Sequence, residues 1–343
     1  MTDAVLTFED LSGTVSIRET TSGRRSISVR LHDSRTFSPR TQWTTRYPVD
    51  LIHKILLVKG AAWLCDEIAR DEDPDGVESD IRASVLGYVT GEEVNGSRVL
   101  DFGCGSGASS MVLARLFPSA QICGIELVED FLTTARQRAE VMEIRNVSFH
   151  LSPAPDRIPD TIGPFDHILL SAVFEHLLPH ERAPLMQAIW DVLAPGGILF
   201  INQTPDSRFP AEVHTTGLPL MHYLPDSAAF RLARTLSRRG LAAESDESLL
   251  RKGIRGSTPA KILRLLADNT PAPVLLRPRY QSLHRQSDIW YRAARARLAS
   301  RGNVLHRKVF PPIVDIMVAL AIPIAPYLSI AVQKPLNRIQ SQA

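Results

Sequence analysis

The feature that most constrains the fold is an apolar stretch that runs directly into a glycine-rich turn. Residues 98–102 have the composition of a buried strand, and Gly103, Gly105 and Gly107 follow at once. Glycine adopts backbone angles that other residues avoid and lets a ligand approach the main chain closely. In doubly wound α/β sheets, such a turn at the carboxyl end of a strand holds a nucleotide. By itself, the pattern also fits an ordinary tight turn.

A second apolar segment strengthens the nucleotide interpretation. Residues 121–125 predict a strand, and Glu126 follows it, about 20 residues after the glycines. A carboxylate at that place accepts hydrogen bonds from both hydroxyl groups of a ribose. Together the two motifs predict a nucleoside-binding site; a solvated acidic residue at a strand end is the alternative.

Apolar strands alternate with helical segments over the middle of the chain. The predicted strands span 98–102, 121–125, 147–151, 167–170 and 198–202. The predicted helices between them span 108–116, 129–138 and 183–192. Such alternation is typical of parallel βαβ units. The sequence therefore predicts an α/β fold with a Rossmann-like, doubly wound and mostly parallel sheet.

The regions on either side of this core have patterns of their own. Alternation over 14–31 around Gly23 predicts a hairpin, and helical spacing over 50–70 predicts a helix. After residue 204 proline becomes frequent, and helices are predicted over 228–238 and after Thr258. We predict three regions: an N-terminal extension (1–84), the core (85–206) and a basic, partly apolar C-terminal cap (207–343).

The order of these motifs resembles that of the class I S-adenosylmethionine-dependent methyltransferases. Residues 101–107 are similar to the first motif of that family, and 165–170 to its fourth strand. The Glu175-His176 pair resembles a frequent segment after the fourth strand, and 193–199 resembles the Leu-x-Pro-Gly-Gly turn into the fifth. The resemblance implies a sheet of the seven-stranded type and S-adenosyl-L-methionine as the cofactor.

The resemblance also implies roles by position. Asp101 and the backbone of the glycine turn would hold the methionine end of the cofactor, Glu126 the ribose and Leu127 the adenine. The family often has an acidic residue after its third strand, where this chain has Ser152. The implied cofactor-binding residues are Asp101, Gly103, Cys104, Gly105, Gly107, Glu126, Leu127, Ser152 and Ser171.

Methyl transfer to a hydroxyl group requires alignment of the acceptor and removal of its proton. The candidate bases are His176, just past the fourth strand, and His214, after the fifth, with Glu175 as an acidic partner. A structural role is the alternative for each histidine. The Glu-His pair also resembles that of quinone-biosynthesis O-methyltransferases, in which a further Glu helps to bind a metal. Because this chain has Ala172 at that position, no metal is expected.

We expect O-methylation of a hydroxyl group on a small or lipid-linked metabolite of the sugar or phenol type. The family members that methylate amino groups carry an Asn/Asp-Pro-Pro-Tyr segment after the fourth strand, whereas residues 171–174 read Ser-Ala-Val-Phe. One alternative is a catalytically silent S-adenosylmethionine-binding protein. Another is a nicotinamide-dependent oxidoreductase, which would require GxGxxG instead of a third glycine at position 107.

Charge is unevenly distributed along the chain. The net charge is +2, but residues 207–343 contain 21 basic and 8 acidic side chains. This excess predicts an anionic partner for the C-terminal region, unless the two parts of the chain simply pack on each other. The basic segment adjoins no recognisable nucleic-acid-binding module, so nucleic acid is not an expected partner.

Arginines over 285–308 precede an apolar run over 313–332. The run predicts a packed cap segment, peripheral contact with an anionic membrane through 285–332, or a membrane span that Pro323 and Pro326 would break. The cysteines have no paired spacing, and the N-terminal residues lack a basic segment followed by an apolar one. The expected location is therefore the cytoplasm, and the alternative is peripheral contact with the inner face of a membrane.

Overall fold

The computed structural model describes residues 5–33, 36–300 and 304–336, and side chains within these ranges except over 296–311. The strands are β1 (Val5–Glu9), β2 (Gly13–Glu19), β3 (Arg25–Leu31), β4 (Gln42–Thr45), β5 (Arg98–Phe102), β6 (Gln121–Glu126), β7 (Val147–Leu151), β8 (Phe165–Ser171), β9 (Leu193–Pro205), β10 (Ala211–Glu212), β11 (Leu218–Pro219), β12 (Val274–Leu275) and β13 (Tyr327–Gln333). The helices are α1 (Val49–Lys59), α2 (Ala61–Glu72), α3 (Ser79–Leu86), α4 (Gly91–Val94), α5 (Ala108–Leu116), α6 (Glu129–Val141), α7 (Pro179–Val192), α8 (Asp226–Leu236), α9 (Asp246–Arg251), α10 (Pro259–Arg264), α11 (Gln286–Ser300) and α12 (Val304–Ala319).

Within the described residues, seven strands form the central sheet, in the order β12-β13-β9-β8-β5-β6-β7. Strands β5 to β9 pair in parallel, whereas β13 runs antiparallel to both β9 and β12. One apolar cluster packs α7 against the sheet, and another packs α3, α5 and α11 against it. The predicted doubly wound, mostly parallel α/β fold is confirmed.

The core strands are apolar on both sides, as strands covered on two faces must be. In β5, for example, Val99, Leu100 and Phe102 are all buried. From β5 the chain builds β6 and β7 on one side and then crosses to β8 and β9 on the other. Ligands of doubly wound sheets bind at the carboxyl edge where the strand order reverses. The glycine turn after β5 lies at that point.

The five predicted core strands are confirmed, but the sheet also takes β12 and β13 from residues after 206. The boundaries of the three predicted regions stay a prediction. The helix predicted after Thr258 is confirmed as α10, where the Thr258 hydroxyl accepts a hydrogen bond from the Lys261 amide at 3.1 Å. The helix predicted over 228–238 is α8, shifted by two residues.

The apolar run over 313–332 is divided between two elements. Its first part belongs to α12, and its last part is β13, which is buried inside the sheet. Pro323 and Pro326 lie between the two, where proline prevents a helix from continuing. Among the described residues, no helix combines the length and hydropathy required to cross a membrane. The basic side chains at 297, 301, 307 and 308 lie outside the described residues.

The N-terminal extension is an antiparallel sheet, β1-β2-β3-β4, packed on α1 and α2. The predicted hairpin is confirmed as β2 and β3, with Gly23 in its turn. The single helix predicted over 50–70 is in fact two, divided at Gly60. Its φ of +75° is a left-handed angle that glycine adopts without strain and that interrupts a helix.

A buried ion cluster joins this extension to the core. Arg138 of α6 is fully buried, and its guanidinium contacts Asp71 Oδ1 at 2.9 Å and Glu67 Oε1 at 3.2 Å, both on α2. Glu67 also accepts a hydrogen bond from the hydroxyl group of Ser106, within the glycine turn. The extension is therefore connected to the turn by side-chain hydrogen bonds.

We expect Arg138→Met to destabilise the protein by about 3–5 kcal/mol, because two buried carboxylates would lose the fully buried cation that they share. Urea denaturation of the full chain measures this change. Arg136→Met is the matched control on the same helix, since Arg136 is half exposed and pairs with the exposed Glu129. Loss of the Arg136 charge should lower the free energy of unfolding by less than about 1 kcal/mol. Equal destabilisation by the two substitutions would contradict the importance of the buried cluster.

Candidate functional site

A cavity of about 350 Å³ lies at the carboxyl edge of the central sheet. The loops after β5, β6, β7 and β8 and the end of α9 all contribute to its wall. The polar and glycine residues of that wall are Gly103, Glu126, Ser152, His176 and Arg251. Because several strands end at this edge, residues far apart in the sequence face one space.

Of the three glycines of the turn, Gly103 lies in the cavity wall. All three glycines have positive φ, and a Cβ added at Gly105 would meet no atom within 4 Å. A Cβ at Gly103 would lie 2.6 Å from Val173, and one at Gly107 would lie 2.7 Å from Ala135. The first glycine and the third are therefore required by packing, whereas Gly105 leaves free space beside the main chain that a ligand can occupy.

Glu126 fixes the turn from the neighbouring strand. Its Oε2 accepts a hydrogen bond from the Gly105 amide at 3.0 Å, and its Oε1 accepts from the amides of Leu127 at 2.7 Å and Val128 at 3.3 Å. Because Oε2 has a single amide donor, it retains acceptor capacity. Glu126 can therefore receive hydroxyl donors from a ligand while it holds the loop in place.

Ser152 lies in the cavity wall after β7. Its amide donates to the Glu126 carbonyl at 2.8 Å, and its hydroxyl lies within hydrogen-bond distance of the carbonyl oxygens of Ala154 and Arg157. Since a hydroxyl has one proton, that proton is directed into the loop and the oxygen can accept from a ligand.

Other predicted cofactor residues lie behind the cavity rather than in its wall. Asp101 is 1% exposed, and its Oδ2 accepts hydrogen bonds of 2.6 Å from the hydroxyl groups of Ser109 and Ser110. Burial raises the pKa of Asp101. Cys104 is buried, and burial raises the pKa of its thiol. Ser171 is the last residue of β8. The structure brings Gly103, Glu126, Leu127 and Ser152 together around the cavity.

His176 faces the same cavity from the turn after β8. Its Nδ1 lies 2.6 Å from the carbonyl oxygen of Arg251. A carbonyl only accepts, so Nδ1 carries the proton and Nε2 of the neutral ring carries none. Burial lowers the pKa of His176, although the backbone hydrogen bond opposes this. At neutral pH the ring therefore offers an unprotonated nitrogen.

The structure brings the other two predicted catalytic residues to His176. Glu175 is fully buried; its Oε2 accepts from the Thr204 hydroxyl at 3.0 Å, and its Oε1 lies 3.8 Å from His176 Nε2. Burial raises the pKa of Glu175 to about 8. The His214 ring lies 5.5 Å from the His176 ring, and burial together with the charge of His176 lowers the pKa of His214 to about 4.

Two residues that hold the histidines in place were not predicted. Glu212 is fully buried, and its carboxylate accepts from the amides of His214, Thr215 and Thr216, which fixes the loop that carries His214. Arg251 orients His176 through its carbonyl group. No local motif marks either residue, because Glu212 acts through the backbone of its own loop and Arg251 is distant in the sequence.

The ligand atoms of Glu175, His176 and His214 lie within 4.8 Å of one another, a spacing that a divalent cation could bridge. Glu175 Oε1 has no hydrogen-bond partner among the described residues. Imidazole nitrogens and a carboxylate are common ligands of transition metals. The expectation that no metal is required stays a prediction.

The buried Glu175 predicts a pH-dependent stability. Between its ordinary pKa of 4.5 and its folded value of about 8, the unfolded chain releases the proton while the folded chain retains it, so stability falls as pH rises. Glu175→Gln carries no titrating proton. The free energy of unfolding of the variant, measured relative to that of the wild type, should therefore rise by about 1–4 kcal/mol between pH 5 and pH 8.

Urea denaturation at the two pH values measures this gain, and comparing pH values cancels any constant cost of burying the amide. Glu129→Gln, at an exposed carboxylate, is the control and should show no such gain. A Glu175→Gln effect of the same size at both pH values would contradict the raised pKa.

Comparison with known proteins supports the family suggested by the sequence motifs. The profile of a family described as "Methyltransferase domain" matches residues 93–234. The chain is 37% identical over 112 residues to trans-aconitate 2-methyltransferase of Variovorax paradoxus, a match that covers 33% of this chain and 40% of the relative. It is 30% identical over 191 residues to ubiquinone biosynthesis O-methyltransferase of Xanthomonas euvesicatoria. This match covers 52% of this chain and 78% of the relative.

Among solved structures, the YcgJ protein of Bacillus subtilis is similar over 76% of this chain and all of that chain, at 14% identity and a TM-score of 0.42. The chain spans less than half the length of several curated relatives that it matches, including the Variovorax protein. The match to the Xanthomonas protein covers most of that protein. The strand order of the sheet, the glycine turn and Glu126 agree with a methyltransferase fold. This chain belongs to the class I S-adenosylmethionine-dependent methyltransferases, whose cofactor is S-adenosylmethionine.

Proposed function

We propose that this protein transfers the methyl group of S-adenosylmethionine to a hydroxyl oxygen of a small molecule of the sugar or phenol type. The observation that carries the proposal is the unprotonated Nε2 of His176 in the wall of the cofactor cavity. The names of several relatives, at about 30% identity, include "O-methyltransferase". This agrees with oxygen as the acceptor atom.

The residues of the cavity fit the cofactor. The space beside Gly105 admits a ligand to the main chain, Glu126 offers acceptors for ribose hydroxyls, and Leu127 gives an apolar surface for the adenine. The Ser152 oxygen is available to the adenine amino group. Asp101 acts from beneath the turn, through the start of α5. When bound, the cofactor supplies an activated methyl group.

His176 and its neighbours handle the proton of the acceptor. Nε2 accepts the hydroxyl proton as the oxygen becomes nucleophilic, and the Arg251 carbonyl keeps Nδ1–H in place throughout. Glu175 Oε1 lies 3.8 Å from Nε2, but this carboxyl retains its proton below about pH 8, so it becomes a counter-charge for the protonated ring only when it ionises above that pH. His214 stays neutral because of its low pKa, so it does not compete electrostatically with a protonated His176.

A lipid-linked acceptor and peripheral membrane contact are a finer form of the proposal. Exposed apolar side chains on and just after α12, namely Ile313, Ile316, Val318 and Leu320, support it. Arg295 of the adjoining α11 pairs with Asp315 at 2.8 Å, so a basic helix lies beside the apolar one. Within the predicted 285–332 segment, residues 327–332 belong to the buried strand β13 and do not contribute to such a surface.

Cofactor binding can be tested directly by isothermal titration of S-adenosylmethionine into the full chain. Glu126→Ala should weaken binding at least tenfold, because the ribose hydroxyls lose charge-assisted hydrogen bonds. Glu129→Ala, three residues further on and exposed, should leave the affinity unchanged. Thermal melting of each variant verifies folding. A wild type that binds NAD(P)H instead of S-adenosylmethionine would favour an oxidoreductase and overturn the assignment.

Proton removal predicts a separate effect on turnover. His176→Gln should lower methyl transfer to an acceptor, found by screening hydroxylated compounds, by about 10²–10⁴-fold. Affinity for the cofactor should remain, and His214→Gln should have a smaller effect. His180→Gln is the control, because His180 is exposed on α7. Product formation after EDTA treatment distinguishes a base from a metal ligand. Near wild-type turnover in both the 176 and 214 variants would contradict the assignment of a histidine base.

A further inference from the structure

A second cavity, of about 600 Å³, lies beside the C-terminal strands of the sheet. Its polar wall is formed by Arg208, Arg277, His284, Arg285 and Gln286, and the rest of the wall is leucine and proline. No carboxylate belongs to the wall that the described residues form. We call this cavity the basic cleft.

The positive charge of the basic cleft is only partly neutralised. Arg208 pairs with Asp206 at 2.6 Å, and Arg285 pairs with Asp288 at 2.8 Å. Arg277 makes no ion pair or side-chain hydrogen bond within the described part of the chain. The cleft therefore presents one arginine without a neutralising carboxylate, beside two that have one.

Arg285 adds an unused donor. Its Nε donates to Asp288 and its Nη2 to the Val318 carbonyl, but Nη1 is buried and has no partner in the described structure. Buried donors in folded proteins are almost always paired. The wall of the cleft therefore contains an arginine whose donors are not all used.

One end of the basic cleft lies at the carboxyl edge of the sheet, the edge that also carries the cofactor cavity. Pro323 of its wall lies four residues before Tyr327, which pairs with Pro205 at the carboxyl end of β9. The Tyr327 ring lies 6.1 Å from the His214 ring. Tyr327 therefore connects this end of the cleft to the loop that carries His214.

We propose that the basic cleft binds the phosphate or pyrophosphate group of a small-molecule ligand. The guanidinium fork of arginine matches phosphate oxygens in pairs, and several such groups together favour a multiply charged oxyanion. The apolar part of the wall would contact the carbon skeleton next to the phosphate. The proposal gives a specific place to the basic excess of residues 207–343 and does not depend on methyl transfer.

Isothermal titration with inorganic pyrophosphate, inorganic phosphate and glucose 1-phosphate tests the site in the full chain. Pyrophosphate should bind the wild type, and Arg277→Gln should weaken it about tenfold. Arg277 is exposed and unpaired, so this variant should fold normally. Arg279→Gln is the matched control, since Arg279 lies two residues away, outside the cleft, and is 3.9 Å from Glu93. Its affinity should equal that of the wild type.

The three probes also identify the source of the anion. Tighter binding of the ester than of phosphate assigns the site to a phosphorylated metabolite, and equal binding assigns it to free phosphate; both support the site. No binding of any probe, or equal weakening in the 277 and 279 variants, overturns it. S-adenosylmethionine is titrated into the same samples, so failure of the basic cleft and failure of the cofactor site give different results.

Discussion

The glycine turn can serve as a cofactor site because Glu126 connects three successive loops of the sheet. Its carboxylate accepts from Gly105 in the loop after β5 and from Leu127 in its own loop, and its carbonyl accepts from Ser152 after β7. These bonds are possible because β5, β6 and β7 are adjacent and parallel, so their carboxyl ends meet. This connection fixes the glycine turn, Glu126 and Ser152 relative to one another.

The buried ion cluster supports the same turn from the opposite side. Ser106 donates to Glu67, which Arg138 and Lys59 hold in place from α6 and α1. A buried pair of this kind adds little net stability, but losing one partner is costly because the other charge remains buried. The N-terminal extension is therefore coupled electrostatically to the cofactor loop, and we infer that it limits the motion of that loop.

The core and half of the site could be predicted because the relevant signals are local. A strand followed by glycines, and a second strand followed by Glu126, are patterns within a few residues, and the fold then brings them together. Arg251 could not be predicted, since it lies 75 residues from the histidine that it orients. The role of β13 was also hidden, because a short apolar run has the same appearance in a buried strand and in a packed or membrane-facing segment.

The chemistry of His176 depends on both the core and the region after it. The core supplies the turn after β8, but the tautomer is determined by Arg251, whose guanidinium forms a two-pronged ion pair with Glu181 of α7. That ion pair anchors α9 on the core and keeps its last carbonyl group directed at Nδ1. Changes in the C-terminal region can therefore alter proton transfer without touching the cofactor. The C-terminal region thus carries both His214 and the residue that sets the tautomer of His176, whereas the glycine turn, Glu126 and Ser152 are positioned by the parallel strands.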